Sequence, residues 1–241
     1  MAKKLKHDGF SLTEVLMAVG ILSIGMMLIA TMFPVGIYLT TVATERTMAS
    51  IVADEAFAKI KLYGIGSPSS VVSDYNAIAG LTINSTEFSY PSVDPAMAVR
   101  QYYWSALCIE TDPVVNEYQV TVFVARKTSP ALTYPDPLIF ANSIGRPRLI
   151  NIVVSAGPAS NELTISNATY ARYVNPPAAV LDNATGTIYR VIDRKEVAGN
   201  PVVTIDRNWT GALPGLIWLI PPPQAGGKNA GIEVYQTIMR F

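Results

Sequence analysis

Between residues 15 and 39 no side chain is charged. As a helix rising ~1.5 Å per residue, this run of about 25 residues would reach roughly 37 Å. A bilayer core is about 30 Å thick, so the run can span it with some tilt. It is too long for the apolar stretch of an ordinary secretory signal, which is roughly 7–15 residues. Lys3, Lys4 and Lys6 precede it, and the positive-inside rule places such a flank in the cytoplasm with the remainder outside. A chain of 241 residues that is 50% hydrophobic and 15% charged therefore divides into a membrane end and an ordinary end.

Charge and residue inventory remove several functions. Eighteen Lys and Arg balance eighteen Asp and Glu, so the chain lacks the basic excess of a protein that binds nucleic acid through phosphates. Cys108 and His7 are the single cysteine and single histidine. Together they cannot make a disulfide or a cysteine zinc site, and thiol–imidazole and Ser-His-Asp chemistry are effectively excluded. No G-x-S-x-G, Walker A, S-x-x-K or G-x-G-x-x-G sequence occurs.

Directly before the apolar run stands Gly9-Phe10-Ser11-Leu12-Thr13-Glu14-Val15-Leu16, after a short lysine-rich leader. Ser11 to Glu14 fits the capping box S-x-x-E, in which both side chains satisfy backbone N–H groups at a helix start. Glu14 also has a functional reading, because a carboxylate at a membrane edge is costly and by default a functional candidate. The segment resembles the N-terminus of type IV pilins and the pseudopilins of type II secretion. That resemblance covers about residues 1–64. It implies that a prepilin peptidase cuts between Gly9 and Phe10, that Phe10 becomes the N-methylated terminus, and that Glu14 pairs with the N-terminal amine of a neighbouring subunit during assembly. His7 would leave with the leader.

Three- and four-residue spacing continues past the membrane run in Met48, Ile51, Val52, Ala56, Phe57 and Ile60, with charged residues largely off that stripe. One helix is therefore expected from about residue 11 to residue 63, ~80 Å in all, ending at Gly64 with Gly66 and Pro68 behind it. Pro34 lies inside it and is expected to kink it. Beyond Pro68 the pattern becomes short β-rich runs between turns. Strands are expected at 102–110, 117–127, 148–155, 187–194, 202–206, 216–220 and 232–240, with Tyr118, Val120, Val122 and Val124 on one face. The expected fold class is α+β. A long N-terminal helix, membrane-spanning in its first half and amphipathic in its second, packs on a mostly antiparallel sheet domain. The expected organisation is a leader at 1–9, the helix at 10–64 with its transmembrane segment at 15–39, and a β-rich domain at 65–241 that forms two sub-sheets.

Around Tyr103-Trp104 and Tyr118 to Val122 the chain resembles minor pilins of the type IV pilus modification protein kind. The reading is a non-enzymatic minor pilin or pseudopilin in a bacterial inner membrane, N-terminus cytoplasmic, outer domain periplasmic or extracellular, entering a filament on assembly. The resemblance implies as partners prepilin peptidase, other pilin or pseudopilin subunits, an inner membrane platform protein and the lipid bilayer. Direct binding of nucleic acid is not expected, nor is a cofactor, a metal or a catalytic residue. The competing reading is a single-pass anchored β-domain acting as a ligand-binding module or hydrolase. Residues 182–186 with Asp193 offer oxygens to calcium but lack the EF-hand pattern, and read as a turn. Cys108 reads as a small core residue. Asn84, Asn167, Asn183 and Asn208 each begin an N-x-S/T sequon, a mild excess over chance.

Overall fold

Ser11 opens the long helix. Its hydroxyl accepts from the Glu14 backbone N–H at 3.3 Å, and helix α1 then runs without interruption over Leu12–Tyr63, with Pro34 inside it. At the other end Gly64 turns into the left-handed region at φ 78°, and its N–H donates to the Ile60 carbonyl. A left-handed glycine just past the last turn ends a helix at no steric cost. This computed structural model describes residues 9–66, 72–78, 83–92, 100–138 and 142–241. The first eight residues of the expected leader, and Pro68, lie outside them.

Two compact units emerge, one reaching Glu45 and one spanning Arg46–Phe241. In the first, no helical side chain is buried. Leu16, Met17, Ile21, Met27 and Phe33 are all exposed. Its hydroxyls are nonetheless satisfied: Ser23, Thr31, Thr40, Thr41 and Thr44 each donate to a carbonyl three or four residues back, at 2.7 to 2.9 Å. Back-bonding of this kind closes these five hydroxyls onto the helix, as an apolar medium requires.

In the second unit the strands are β1 (Ser73–Asp74), β2 (Ser89–Tyr90), β3 (Tyr102–Asp112), β4 (Glu117–Arg126), β5 (Tyr134–Pro135), β6 (Ser143–Ile144) and β7 (Ile150–Ala156). They continue with β8 (Glu162–Ile165), β9 (Ala179–Asp182), β10 (Ile188–Val197), β11 (Asn200–Ile205), β12 (Gly215–Leu219) and β13 (Gly231–Arg240). Strands β1, β3, β4 and β13 form a sheet in that order, with β2 also paired to β3, and β5 pairs with β6. Strands β10, β11, β8, β7, β12 and β9 close into a barrel. Every pairing is antiparallel. The fold class is thus α+β, as the sequence pattern leads one to expect. Strands β8 and β9 are too short for the alternation to reveal them.

The end of α1 lies on one face of the sheet through Ala49, Val52, Ala53, Ala56 and Ile60, in one core with Trp104, Tyr118, Val120, Val122 and Val124. The expected stripe holds at Val52, Ala56 and Ile60 and is corrected at Ile51. Ile51 is 42% exposed and alanines take the contact instead, because a small side chain lets the helix backbone approach the sheet. Lys59 fixes this placement from the rim, reaching Glu55 at 2.8 Å and Glu87 at 3.1 Å.

Alternation in β4 suggests one buried face, yet both are buried. Phe123 and Ala125 join Leu107, Leu181 and Ile220 in a second core between sheet and barrel. The barrel interior is a third core, with Ile150, Ile152, Val154, Val180, Val203 and Ile217 among its members. Joining sheet to barrel are Gln119 and Gln236, whose amides donate to the Gly186 carbonyl at 3.1 and 2.9 Å. Gly186 sits at φ 67°, and a Cβ there would meet Gln119 Nε2 at 2.6 Å. We expect Gly186→Ala to lower unfolding free energy by about 1–3 kcal/mol, measured by urea denaturation of the full chain in uncharged detergent. A second change, Gln119→Ser, should restore the part due to the clash.

Candidate processing and assembly segment

Gly9 and Phe10 lie just before the helix and are exposed; Phe10 presents 85% of its surface. A Cβ built on Gly9 meets nothing within 4 Å. The described residues therefore make no steric demand for glycine at this position. Glu14 occupies the first turn of α1, where the helix dipole favours a carboxylate. Ser11 supplies one half of the capping box, but the Glu14 carboxylate bonds to no described residue. The Glu14 carboxylate therefore stands at the helix start with no partner among the described residues, and both of its readings carry forward.

The remaining candidates fall into structural roles. Asp182 is buried, and its carboxylate accepts from the backbone N–H of Ala184 and of Thr185 at 3.2 Å and from the Thr185 hydroxyl at 2.7 Å. The 182–186 segment is a turn whose acid is already occupied by the chain's own donors. Asp193 accepts from the Arg194 backbone N–H. No group of three or more His, Cys, Asp or Glu with metal-binding geometry occurs among the described residues.

The sequon asparagines also do structural work. Asn84 and Asn167 cap short 3-10 turns by accepting from Thr86 and Thr169. Asn183 accepts from the Trp218 indole at 2.7 Å and Asn208 from the Ser160 hydroxyl at 2.9 Å. Each of the four side-chain carbonyls is thus engaged within the chain.

A second polar constellation was not legible in the sequence. Arg46 of α1, Arg190 of β10 and Glu233 of β13 meet, with Glu233 at 3.9 Å from Arg46 and 3.4 Å from Arg190. Their separation along the chain leaves no spacing rule by which they could be found.

Residues 4–30 match the family described as Prokaryotic N-terminal methylation motif. The chain carries a prepilin-type methylation motif. The match supports the type IV pilin and pseudopilin family, and the apolar helix behind the motif is long and apolar enough to cross a membrane. No curated protein and no solved structure matches the chain.

Cys108 sits in β3, wholly buried, and burial pushes its thiol up to about 12, with Asp74 adding to the rise. Only the thiolate is nucleophilic. We expect no alkylation by iodoacetamide at pH 8 in the folded chain and complete alkylation in urea, read by intact mass. Modification of the folded chain at pH 8 would refute the inert-core assignment.

Proposed function

We propose that the chain is a minor pilin or pseudopilin, a structural subunit that prepilin peptidase processes and that assembles through its N-terminal helix. The carrying observation is the methylation motif at residues 4–30, set against a helix whose apolar side chains find no cover within their own unit. Large exposed apolar surface marks a site that lipid or protein must cover. In the membrane the residues 15–39 are covered by acyl chains; in a filament neighbouring helices replace them. The leader remains in the cytoplasm and the β-rich domain lies across the inner membrane. Gly9 serves the peptidase, which needs a small residue before the cut, and no described residue lies within 4 Å of a Cβ built there.

Hydrolysis of the Gly9–Phe10 peptide bond frees an α-amine on Phe10, which then receives a methyl group. Glu14 lies four residues on, and its carboxylate pairs with the Phe10 amine of a neighbouring subunit, the platform protein driving extraction. Burial of an isolated carboxylate between apolar helices is costly, and pairing with an ammonium offsets that cost. The minor-subunit reading rests on bulk: the barrel added to the sheet is large to repeat along a whole filament. The domain division, with a leader to residue 9, a helix to 64 and a β-rich remainder, belongs to the same proposal, as does a bend at Pro34, whose missing N–H leaves the Ala30 carbonyl without its helical partner.

Intact mass of the protein from cells with active peptidase should show loss of the first nine residues and gain of one methyl. Gly9 replaced by a bulky residue should block both. Mature protein still beginning at Met1 or Ala2 would refute the reading. Glu14→Leu should leave insertion and cleavage intact and deplete the subunit from sheared filaments; normal incorporation would reduce Glu14 to a local helix-start residue.

A further inference from the structure

Arg46, Arg190, Lys228 and Glu233 line one cavity of about 280 Å³. Its walls are apolar where Pro176, Pro177, Ile220 and Val234 contribute. Glu233 is the single carboxylate among the described residues lining it, and it is shared between two guanidinium groups, one contacted at each oxygen. Lys228 is exposed and forms no ion pair with a described residue. Three cations thus face one anion, leaving an excess of positive charge at the mouth of a concave site. Apolar walls concentrate such a potential. The guanidinium fork matches a phosphate oxygen pair better than it matches a lone carboxylate oxygen.

We propose that this cavity binds the phosphate of an anionic phospholipid headgroup. Arg46 is the first cationic side chain after the uncharged run and follows residue 39 by seven residues in the same helix. Cationic groups just beyond a membrane span lie within a Debye length of the headgroups, close enough to be attracted to anionic lipid. A cavity slightly below the roughly 300–1,000 Å³ range of drug-sized sites admits a glycerophosphate group and leaves the acyl chains outside. The choice of a lipid over free phosphate rests on the membrane reading above; the cationic cavity itself does not.

Native mass spectrometry of the full chain in uncharged detergent tests this, with phosphatidylglycerol, phosphatidylcholine or inorganic phosphate added. One phosphatidylglycerol adduct should be retained, phosphatidylcholine much less, and inorganic phosphate should not displace it. Arg190→Gln with Lys228→Gln should reduce retention by roughly fivefold or more. Lys228→Gln alone, which removes no described bond and so spares the fold, should reduce it by about twofold. Glu233→Gln should increase retention, because the competing carboxylate is gone. Arg240→Gln, whose partner is Glu117 at 2.9 Å, should leave it unchanged. Unchanged retention in the Lys228→Gln and double variants, or equal retention of phosphatidylcholine, would overturn the site. Displacement by inorganic phosphate at equal concentration would overturn the lipid assignment. The same spectrum reports whether Met1 to Gly9 is present. A processed chain without lipid therefore counts against the cavity, and an unprocessed chain with lipid counts against the pilin reading.

Discussion

An apolar helical surface that its own unit leaves uncovered is the constraint from which the rest follows. Large side chains from Leu12 to Leu39 remain exposed, and the hydroxyls of Ser23 and Thr31 among them are closed onto the helix backbone. Burying an apolar side chain of this size is worth about 1.5–3 kcal/mol, and here none of that is realised within the unit. Such a surface is compatible with lipid or with other helices, and with little else. The motif at residues 4–30 runs into this same surface and covers its first half.

Past Arg46 the helix meets a different requirement. Alanines at 49, 53 and 56 face the sheet with no exposed surface to speak of, and their small size sets a close approach that larger apolar residues would prevent. Strand β4 then separates two cores. Val120, Val122 and Val124 serve the helix side, while Phe123 and Ala125 serve the barrel side. Because that strand is buried on both faces, the antiparallel sheet behaves like the middle layer of three, and the Gly186 carbonyl accepts the two glutamines that tie sheet to barrel.

A further consequence of the layering is that side chains remote in sequence converge. The carboxylate of Glu233 holds two arginines from different layers, and the loop before β13 brings Lys228 to the same cavity. In the loop 221–231, Pro221, Pro222, Pro223 and Ala230 are buried, while residues 225–228 and Gly231 reach solvent. Three prolines in a row cannot join a ladder as donors.

The sequence by itself determined the long helix and its end, since a run of uncharged residues, a Ser11 cap and a left-handed Gly64 are local features that need no partner. It also determined the period-two strands β3, β4, β7, β10 and β13, and the motif around Gly9, Phe10 and Glu14. Tertiary structure alone decided which residues of the second half of α1 make contact, because Ala49 and Ile51 differ in burial through approach distance and not through hydropathy. It alone closed the barrel, since β8 and β9 are four residues each and their pairing with distant strands leaves no periodic trace. The cavity at Arg46, Arg190, Lys228 and Glu233 belongs to the same class: charges with no spacing rule along the chain come to line one cavity only when three elements and a loop meet.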